Sequence, residues 1–264
     1  MTGKIFMELL SEQKIVKQKR IILLDELRGT AVILMIIYHT LYSMTFIFNI
    51  EEIYPAMRAV YHYEPVIPII FITICGIVCS LSRNNLKRGM KIFLIALAVT
   101  LVTYIAIPSQ VIIFGILHFL GISLMTYPLL KRLTKKINCK TGALISIFLF
   151  ILFYNVPKGY IGIQPYPNIK LPSVLYEHYF MSFFGFPSDS FNSSDYFPII
   201  PHIFLFIFGI FAGEFIISHK MPAFIYRKHI PFLDVIGKHA LIIYVIHQPL
   251  IIGILYIITS VSGK

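Results

Sequence analysis

The sequence predicts an all-α polytopic membrane protein with about seven transmembrane helices. Hydrophobic residues make up 57% of the 264-residue chain and charged residues only 13%, and the mean hydropathy is +0.80. Soluble domains carry roughly 25% charged residues, so this chain has too little polar surface to face water as a globule. Apolar runs of about 20 residues, the length that crosses a ~30 Å hydrocarbon core, recur along its whole length.

Seven such runs are the predicted spans, at 24–46, 65–83, 89–107, 110–130, 141–157, 197–217 and 239–259. The basic residues before the first run resemble the start of a signal peptide. That run is too long and lacks a small-residue cleavage site, which indicates an anchor. The segment 158–196 is polar and rich in proline, so we expect it outside the membrane. These boundaries predict a basic cytoplasmic segment, 1–20, and one transmembrane domain, 21–260.

The distribution of basic residues predicts the orientation. Most of the 23 Lys and Arg residues fall in the N-terminal segment and in three loops on the same side. The opposite side holds only Arg58, Lys158, Lys170 and Lys264. Basic loops face the cytoplasm, so the N-terminus is expected inside and, after seven spans, the C-terminus outside. We expect a bacterial plasma membrane as the setting.

The formal net charge of +11 is therefore mostly a consequence of topology. Basic loops commonly contact anionic lipid headgroups, and some of these residues are alternatively placed to hold an anionic cytosolic ligand. Nucleic acid is not an expected partner, because the charge is spread over four short segments. The three cysteines form no CxxC pair, so neither a disulfide framework nor a metal site is expected. Gly209 and Gly213 form a GxxxG pattern that predicts close helix packing.

Ionisable residues at membrane depth are costly and are functional candidates for that reason. The first span carries Asp25, Arg28 and His39, which fall within a stripe of about 60° on one helix face at 100° per residue. Asp25 and Arg28 are spaced to pair. An ion pair that only fixes the end of the helix is the alternative interpretation for these two residues.

Histidines on three spans are predicted to share one level near the outer face. At ~1.5 Å per residue, His39 and His202 lie about 9 Å and His118 about 12 Å below that face. His247 lies deeper, and Asp195 stands just outside this tier. Each histidine taken singly is also compatible with a satisfied imidazole in the core.

This arrangement predicts a site that is reached from both sides of the membrane. Neutral imidazole can accept a proton from a hydroxyl or amine near neutral pH, and Arg28 near the inner face suits an anionic or phosphate-bearing ligand. A proton-coupled transporter uses similar residues and remains an alternative, as does a non-catalytic membrane partner.

Five stretches of the chain share residues and spacing with the motifs of one family: Arg20 to His39, Phe71 to Gly76, Phe114 to His118 with Gly121, Asp195 to Pro198 with Pro201, and Gly237 to Pro249. In these stretches the sequence resembles the bacterial membrane family related to the catalytic domain of heparan-α-glucosaminide N-acetyltransferase. The chain has His39 where the motif of the animal enzyme has an asparagine.

The resemblance implies an acyltransferase that takes an acyl group, as acetyl, from cytosolic acetyl-CoA or another acyl-CoA and delivers it to a sugar-type acceptor outside. No metal is expected. One histidine, foremost His39 or His118, would deprotonate the acceptor or carry the acyl group transiently. The predicted catalytic residues are His39, His118 and His202; the predicted binding residues are Asp25, Arg28, Asp195, Tyr244, His247 and Gln248. The expected partners are membrane lipid, the acyl donor, an extracytoplasmic glycan and a second copy of the chain.

Overall fold

The computed structural model describes residues 20–82, 84–163 and 169–261. The predicted N-terminal segment, 1–20, therefore lies outside the described residues except for Arg20. The α-helices of the described chain are α1 (Ile22–Tyr42), α2 (Tyr54–Tyr61), α3 (Val66–Leu81), α4 (Asn85–Ala106), α5 (Ile116–Thr134), α6 (Cys139–Phe153), α7 (Ile199–Ser218), α8 (Pro231–Lys238) and α9 (Ala240–Val261). The predicted all-α helix bundle is confirmed.

The remaining elements are short. A π-helical turn, Ser43–Ile47, continues α1, and brief 3-10 turns lie at Glu51–Ile53, Pro108–Gln110, Val156–Lys158, Ser173–Tyr176, Tyr179–Phe184 and Ala223–Tyr226. Strands β1 (Tyr160–Ile161) and β2 (Ile169–Lys170) pair antiparallel. Both strands lie in the segment 158–196, which the sequence places outside the membrane.

Five helical stretches are long and apolar enough to cross a membrane: Ile22–Ile47, Asn85–Ala106, Cys139–Lys158, Ile199–Ser218 and Ala240–Val261. The pair Glu51–Tyr61 and Val66–Leu81, bent by 45°, makes a sixth if it is one span. Helix α5, which contains most of the predicted span 110–130, does not meet this criterion.

Helix α5 nevertheless runs along the length of the bundle. Its first residue, Ile116, donates its backbone N–H to Asp195 just before α7 begins. Near its other end, Lys131 interacts electrostatically with Glu214 in the last turns of α7. The helix begins six residues later than predicted because the chain turns at Pro108–Gln110 and Gly115 is extended.

Glycines let α3 and α7 pack backbone to backbone. A Cβ atom on Gly209 would collide with the carbonyl oxygen of Thr73, and one on Gly213 would lie 2.7 Å from the carbonyl oxygen of Ile77. The close packing predicted from the GxxxG pattern is therefore confirmed. The largest buried cluster surrounds this contact and draws Ile72, Phe119, Leu124, Phe150, Phe206 and Ile210 from α3, α5, α6 and α7.

The short helix α8 packs with equal closeness against the beginning of α1. A Cβ atom on Gly29 would collide with the carbonyl oxygen of Leu233, and one on Gly237 with that of Asp25. The Glu26 carboxylate accepts the backbone N–H of Ile230, the residue directly before α8, at 2.9 Å. These contacts hold α8 at the end of the bundle where α1 begins.

A buried ion pair network completes this attachment. The side chain of Asp234 on α8 is fully buried, and its Oδ2 atom lies 2.7 Å from Lys238 Nζ and 3.2 Å from Lys228 Nζ. The hydrogen bond from Lys238, together with that from Lys228, lowers the pKa of Asp234 below its ordinary value. The carboxylate therefore stays charged at neutral pH and stabilises α8 at the basic surface.

Replacing Gly29 by alanine is expected to force α8 away from α1, because the new methyl group overlaps backbone that cannot rotate aside. We expect the free energy of unfolding to fall by about 2 kcal/mol, measured by thermal unfolding in detergent. The control is Gly253→Ala in α9, where a Cβ meets no atom within 4 Å; it should be neutral or stabilise by up to ~1 kcal/mol. Equal stability of the two variants would contradict the close approach.

Candidate functional site

A deep cavity opens at the end of the bundle where α1 and α4 begin. It has a volume of 680 Å³ and is called the basic cavity here. Five cationic side chains and one carboxylate line its mouth among the described residues: Arg20, Arg28, Arg88, Lys91, Lys238 and Asp25. Further in, the walls become apolar and are formed by Leu24, Phe71, Cys75, Ile116, Leu117 and Leu120. A strongly positive opening thus leads to an apolar interior.

The charges at the mouth are only partly neutralised. Asp25 accepts a hydrogen bond from Arg28 at 2.9 Å, which confirms the predicted pair, and a second from Arg20 at 2.7 Å. Arg88 and Lys91 have no carboxylate partner within the described ranges. This leaves net positive charge that favours an anionic ligand.

The basic cavity reaches far into the bundle. Its lining on α3 runs from Leu81 to Phe71, and ten residues of helix correspond to about 15 Å. It ends at Tyr244 on α9, whose hydroxyl donates to Asp195 Oδ2 at 3.0 Å. The backbone N–H of Ile116 donates to the same oxygen at 3.0 Å. Asp195 therefore lies behind Tyr244 and Ile116, two of the residues that line the cavity.

Asp195 sits in the segment that leads into α7 and is held mainly by polar donors. Burial raises the pKa of its carboxyl group above the ordinary value, and the hydrogen bonds from Ile116 and Tyr244 oppose that shift. Glu64, at the break between α2 and α3, interacts electrostatically with it. Through its hydrogen bonds, Asp195 connects the segment before α7 with the start of α5 and with α9.

A second cavity of 230 Å³ approaches Asp195 from the other end of the bundle. Its walls are largely proline and aromatic side chains: Pro65, Pro68, Pro157, Pro198, Pro201, Phe150, Tyr154, Tyr196 and Phe197. We call it the proline cavity. Besides its tyrosines, the titratable residues that line it are Glu64, Lys158 and His202. Tyr196, which follows Asp195 directly, lines this cavity, whereas Tyr244, the hydrogen-bond partner of Asp195, lines the basic cavity.

The three predicted catalytic histidines lie in separate surroundings. His118 is buried, and both of its ring nitrogens are engaged: Nδ1 accepts the backbone N–H of Gly115 at 3.2 Å, and Nε2 lies 3.2 Å from Thr100 Oγ1. These bonds cap the start of α5 and tie it to α4. His118 lines neither the basic cavity nor the proline cavity.

His39 packs against His247, with 4.9 Å between their ring centroids. His247 Nδ1 lies 2.6 Å from the carbonyl oxygen of Tyr244, and Gln248 donates to Ser43 at 3.1 Å. His247 Nε2 and Gln248 Oε1 are buried without a hydrogen-bond partner among the described residues. The predicted residues His39, His247 and Gln248 thus form a polar cluster between α1 and α9, apart from both cavities.

His202 is the predicted histidine that reaches a cavity. Its Nδ1 atom lies 2.9 Å from the carbonyl oxygen of Pro198, and its ring contacts Phe119, Phe150 and Phe197. A carbonyl oxygen only accepts, so Nδ1 carries the proton and Nε2 keeps its lone pair. Nε2 has no hydrogen-bond partner in the described part of the chain.

Several cavity residues were not predicted as site residues. Arg88, Lys91 and Lys238 were counted toward the orientation of the chain and belong to the basic loops that were considered, as a group, for an anionic cytosolic ligand. Their clustering at one cavity mouth was not predicted. Glu64 and Lys158 lie in segments predicted outside the membrane and received no role. The sequence signal for Glu64 is an acid directly before a proline between two apolar helices, which is too common to single out.

Together, the bundle and its two cavities define a polytopic membrane protein with polar sites that open at opposite ends. Residues 20–249 match the family model described as heparan-alpha-glucosaminide N-acetyltransferase, catalytic, and the chain belongs to this family of membrane acetyltransferase type. No curated protein and no solved structure matches the chain. Among the described residues no group of three or more His, Cys, Asp or Glu side chains is placed to hold a metal ion.

Replacing Asp195 by alanine is expected to leave the N–H of Ile116 and the hydroxyl of Tyr244 without their acceptor. Each unsatisfied buried donor costs about 1–3 kcal/mol, so the midpoint of thermal unfolding should fall clearly below that of the wild type. Asp189→Ala is the matched control, because Asp189 is exposed in the same segment. A midpoint for the Asp195 variant equal to that of the control would show that Asp195 does not join the helices.

Proposed function

We propose that the protein is a membrane acyltransferase that moves an acyl group from cytosolic acyl-CoA to an acceptor on the other side of the membrane. The observation that supports this most directly is the pair of cavities that approach Asp195 from opposite ends of the bundle. A reaction between a cytosolic donor and an external acceptor needs two such openings. Membership of the acetyltransferase family agrees with this chemistry.

The basic cavity is proposed as the donor site, with acetyl-CoA as the simplest donor. Coenzyme A carries phosphates at one end and a thioester on a long flexible arm at the other. The cationic mouth suits the phosphates, since Arg and Lys bind phosphate oxygens through charge-assisted hydrogen bonds. The apolar walls near Phe71 and Leu120 suit the arm. The thioester would then lie near Tyr244, about 15 Å inside.

The predicted orientation of the chain supports a cytoplasmic position for this mouth. Its cations belong to the segments that the distribution of Lys and Arg predicts on the inner side of the membrane, where acyl-CoA is made. The proline cavity would accordingly open to the outside. Tyr244, which lines the basic cavity, and Asp195, to which it donates a hydrogen bond, lie between the two openings.

The transfer itself is tested in proteoliposomes with acetyl-CoA supplied to the cytoplasmic face and glucose or glucosamine outside. Release of free thiol that depends on the external sugar, with acetyl label recovered on it, is the expected result. Solute flux without thiol release would instead support a carrier. The absence of both thiol release and solute flux would support a non-catalytic membrane partner and overturn the proposal.

The double variant Arg88→Gln, Lys91→Gln is expected to weaken donor binding without slowing the chemical step. Loss of two cations that face the phosphates should raise KM for acetyl-CoA about tenfold, or about 1.4 kcal/mol, with kcat unchanged. Lys87→Gln is the control, because Lys87 is a neighbouring exposed cation that does not line the basic cavity. An unchanged KM in the double variant would place the donor elsewhere.

A further inference from the structure

We infer that the proline cavity is the acceptor site and that His202 is the catalytic base that acts in it. This assignment rests on the proposed acyl transfer and deepens it. It selects one of the predicted histidines and adds Glu64, which the sequence did not single out. The acceptor class that the cavity fits is a sugar-sized molecule with free hydroxyl groups.

The orientation of the His202 ring supports the role of a base. Its Nδ1–H donates to the carbonyl oxygen of Pro198 at 2.9 Å, and three aromatic rings pack around the imidazole. These contacts fix the ring and the tautomer, leaving Nε2 as an unprotonated acceptor. His118, by contrast, uses both nitrogens to cap α5.

The lining of the cavity indicates the class of acceptor. Its volume of 230 Å³ corresponds to about eight water molecules at roughly 30 Å³ each, enough for one sugar-sized unit. Proline and aromatic side chains present apolar faces to the apolar face of a sugar ring. Within the described residues the side chain of Glu64 forms no hydrogen bond or ion pair, so its carboxylate is available to accept hydroxyl hydrogens.

The position of the cavity next to the donor site makes the transfer geometrically reasonable. Phe119, which contacts His202, lies on the same turns of α5 as Leu117 and Leu120, which line the basic cavity. His202 and the basic cavity therefore lie against the same turns of α5. A thioester at the inner end of the basic cavity needs only a local opening at the Asp195–Tyr244 contact to meet the acceptor.

The chemical step balances with these groups alone. Nε2 of His202 takes the proton from the acceptor hydroxyl as its oxygen attacks the thioester carbonyl carbon. The tetrahedral intermediate collapses, the C–S bond breaks, and the acyl group remains on the acceptor oxygen as an ester. The leaving thiolate takes the proton from the His202 imidazolium, so the products are the ester and free coenzyme A.

His202→Ala is expected to lower kcat for acetyl transfer to glucose at least 100-fold while the KM for acetyl-CoA is unchanged. Imidazole added outside should restore part of the activity, which loss of a merely structural side chain would not allow. His202→Gln, which retains bulk but no base, should be equally inactive. Binding of acetyl-CoA to each variant, measured by equilibrium dialysis, confirms that the bundle is folded.

A histidine control and a test of Glu64 with its own acidic control accompany this measurement. His178→Ala should behave as the wild type, because His178 is exposed in the segment before α7. Glu64→Gln should raise the KM for glucose about tenfold and leave that for acetyl-CoA unchanged. Glu177→Gln, at an exposed acid, should change neither value.

The outcomes distinguish a failure of the His202 and acceptor assignments from a failure of the acyltransferase proposal. Wild-type transfer that persists within twofold in His202→Ala overturns the assignment of the base and leaves the acyltransferase proposal intact. Acetylation confined to the amine of glucosamine overturns the hydroxyl class of acceptor. Wild-type protein that releases no thiol with either sugar overturns the acyltransferase proposal together with this inference.

Discussion

A polar group buried in a protein is costly unless it finds a hydrogen-bond partner there, and the structure around the candidate site depends on how that need is met at Asp195. One oxygen of its carboxylate accepts both the first N–H of α5 and the hydroxyl of Tyr244 on α9. The start of a buried helix leaves N–H groups that need acceptors, and Asp195 provides one from a different part of the chain. The same contact lies beside residues that line the two cavities, Tyr244 in one and Tyr196 in the other.

The rest of the architecture follows from where helices are allowed to touch. Glycines bring α3 against α7 and α8 against α1 at backbone contact, which draws these pairs tightly together. Space remains where larger side chains and charged groups separate the helices. The basic cavity occupies the region between α1, α3, α4, α5 and α9, and its charges lie at the end where the short helix α8 is anchored by Asp234 and Glu26.

Much of the fold was predictable from sequence, and the reason is physical. Hydrocarbon thickness sets the length of a span, so the apolar runs locate the helices to within a few residues. The Asp25–Arg28 pair followed from helical spacing alone, and the packing of Gly209 and Gly213 from small-residue spacing. The start of α5 was missed because Gly115 is extended and His118, counted as a catalytic candidate, is also a helix cap.

The histidine tier shows why the site was harder to predict than the fold. Counting residues along a helix estimates the depth of a side chain, but it does not give the direction in which that side chain points relative to other helices. His39, His118 and His202 were predicted at a similar depth, yet they pack against His247, Thr100 and Pro198 respectively. Direction depends on helix rotation, which the glycine contacts and the Asp195 hydrogen bonds determine.

The proposed two-sided reaction gives the contact between Asp195 and Tyr244 a role as a wall. A continuous polar channel from Arg88 to Lys158 would admit water, which would compete with the acceptor for the thioester of the proposed donor. The hydrogen bond from Tyr244 to Asp195 instead joins a lining residue of the basic cavity to the residue that precedes Tyr196 in the proline cavity. Burial raises the pKa of Asp195, and the hydrogen bonds from Ile116 and Tyr244 oppose that shift, so these two donors offset part of the cost of burying a carboxylate at this point.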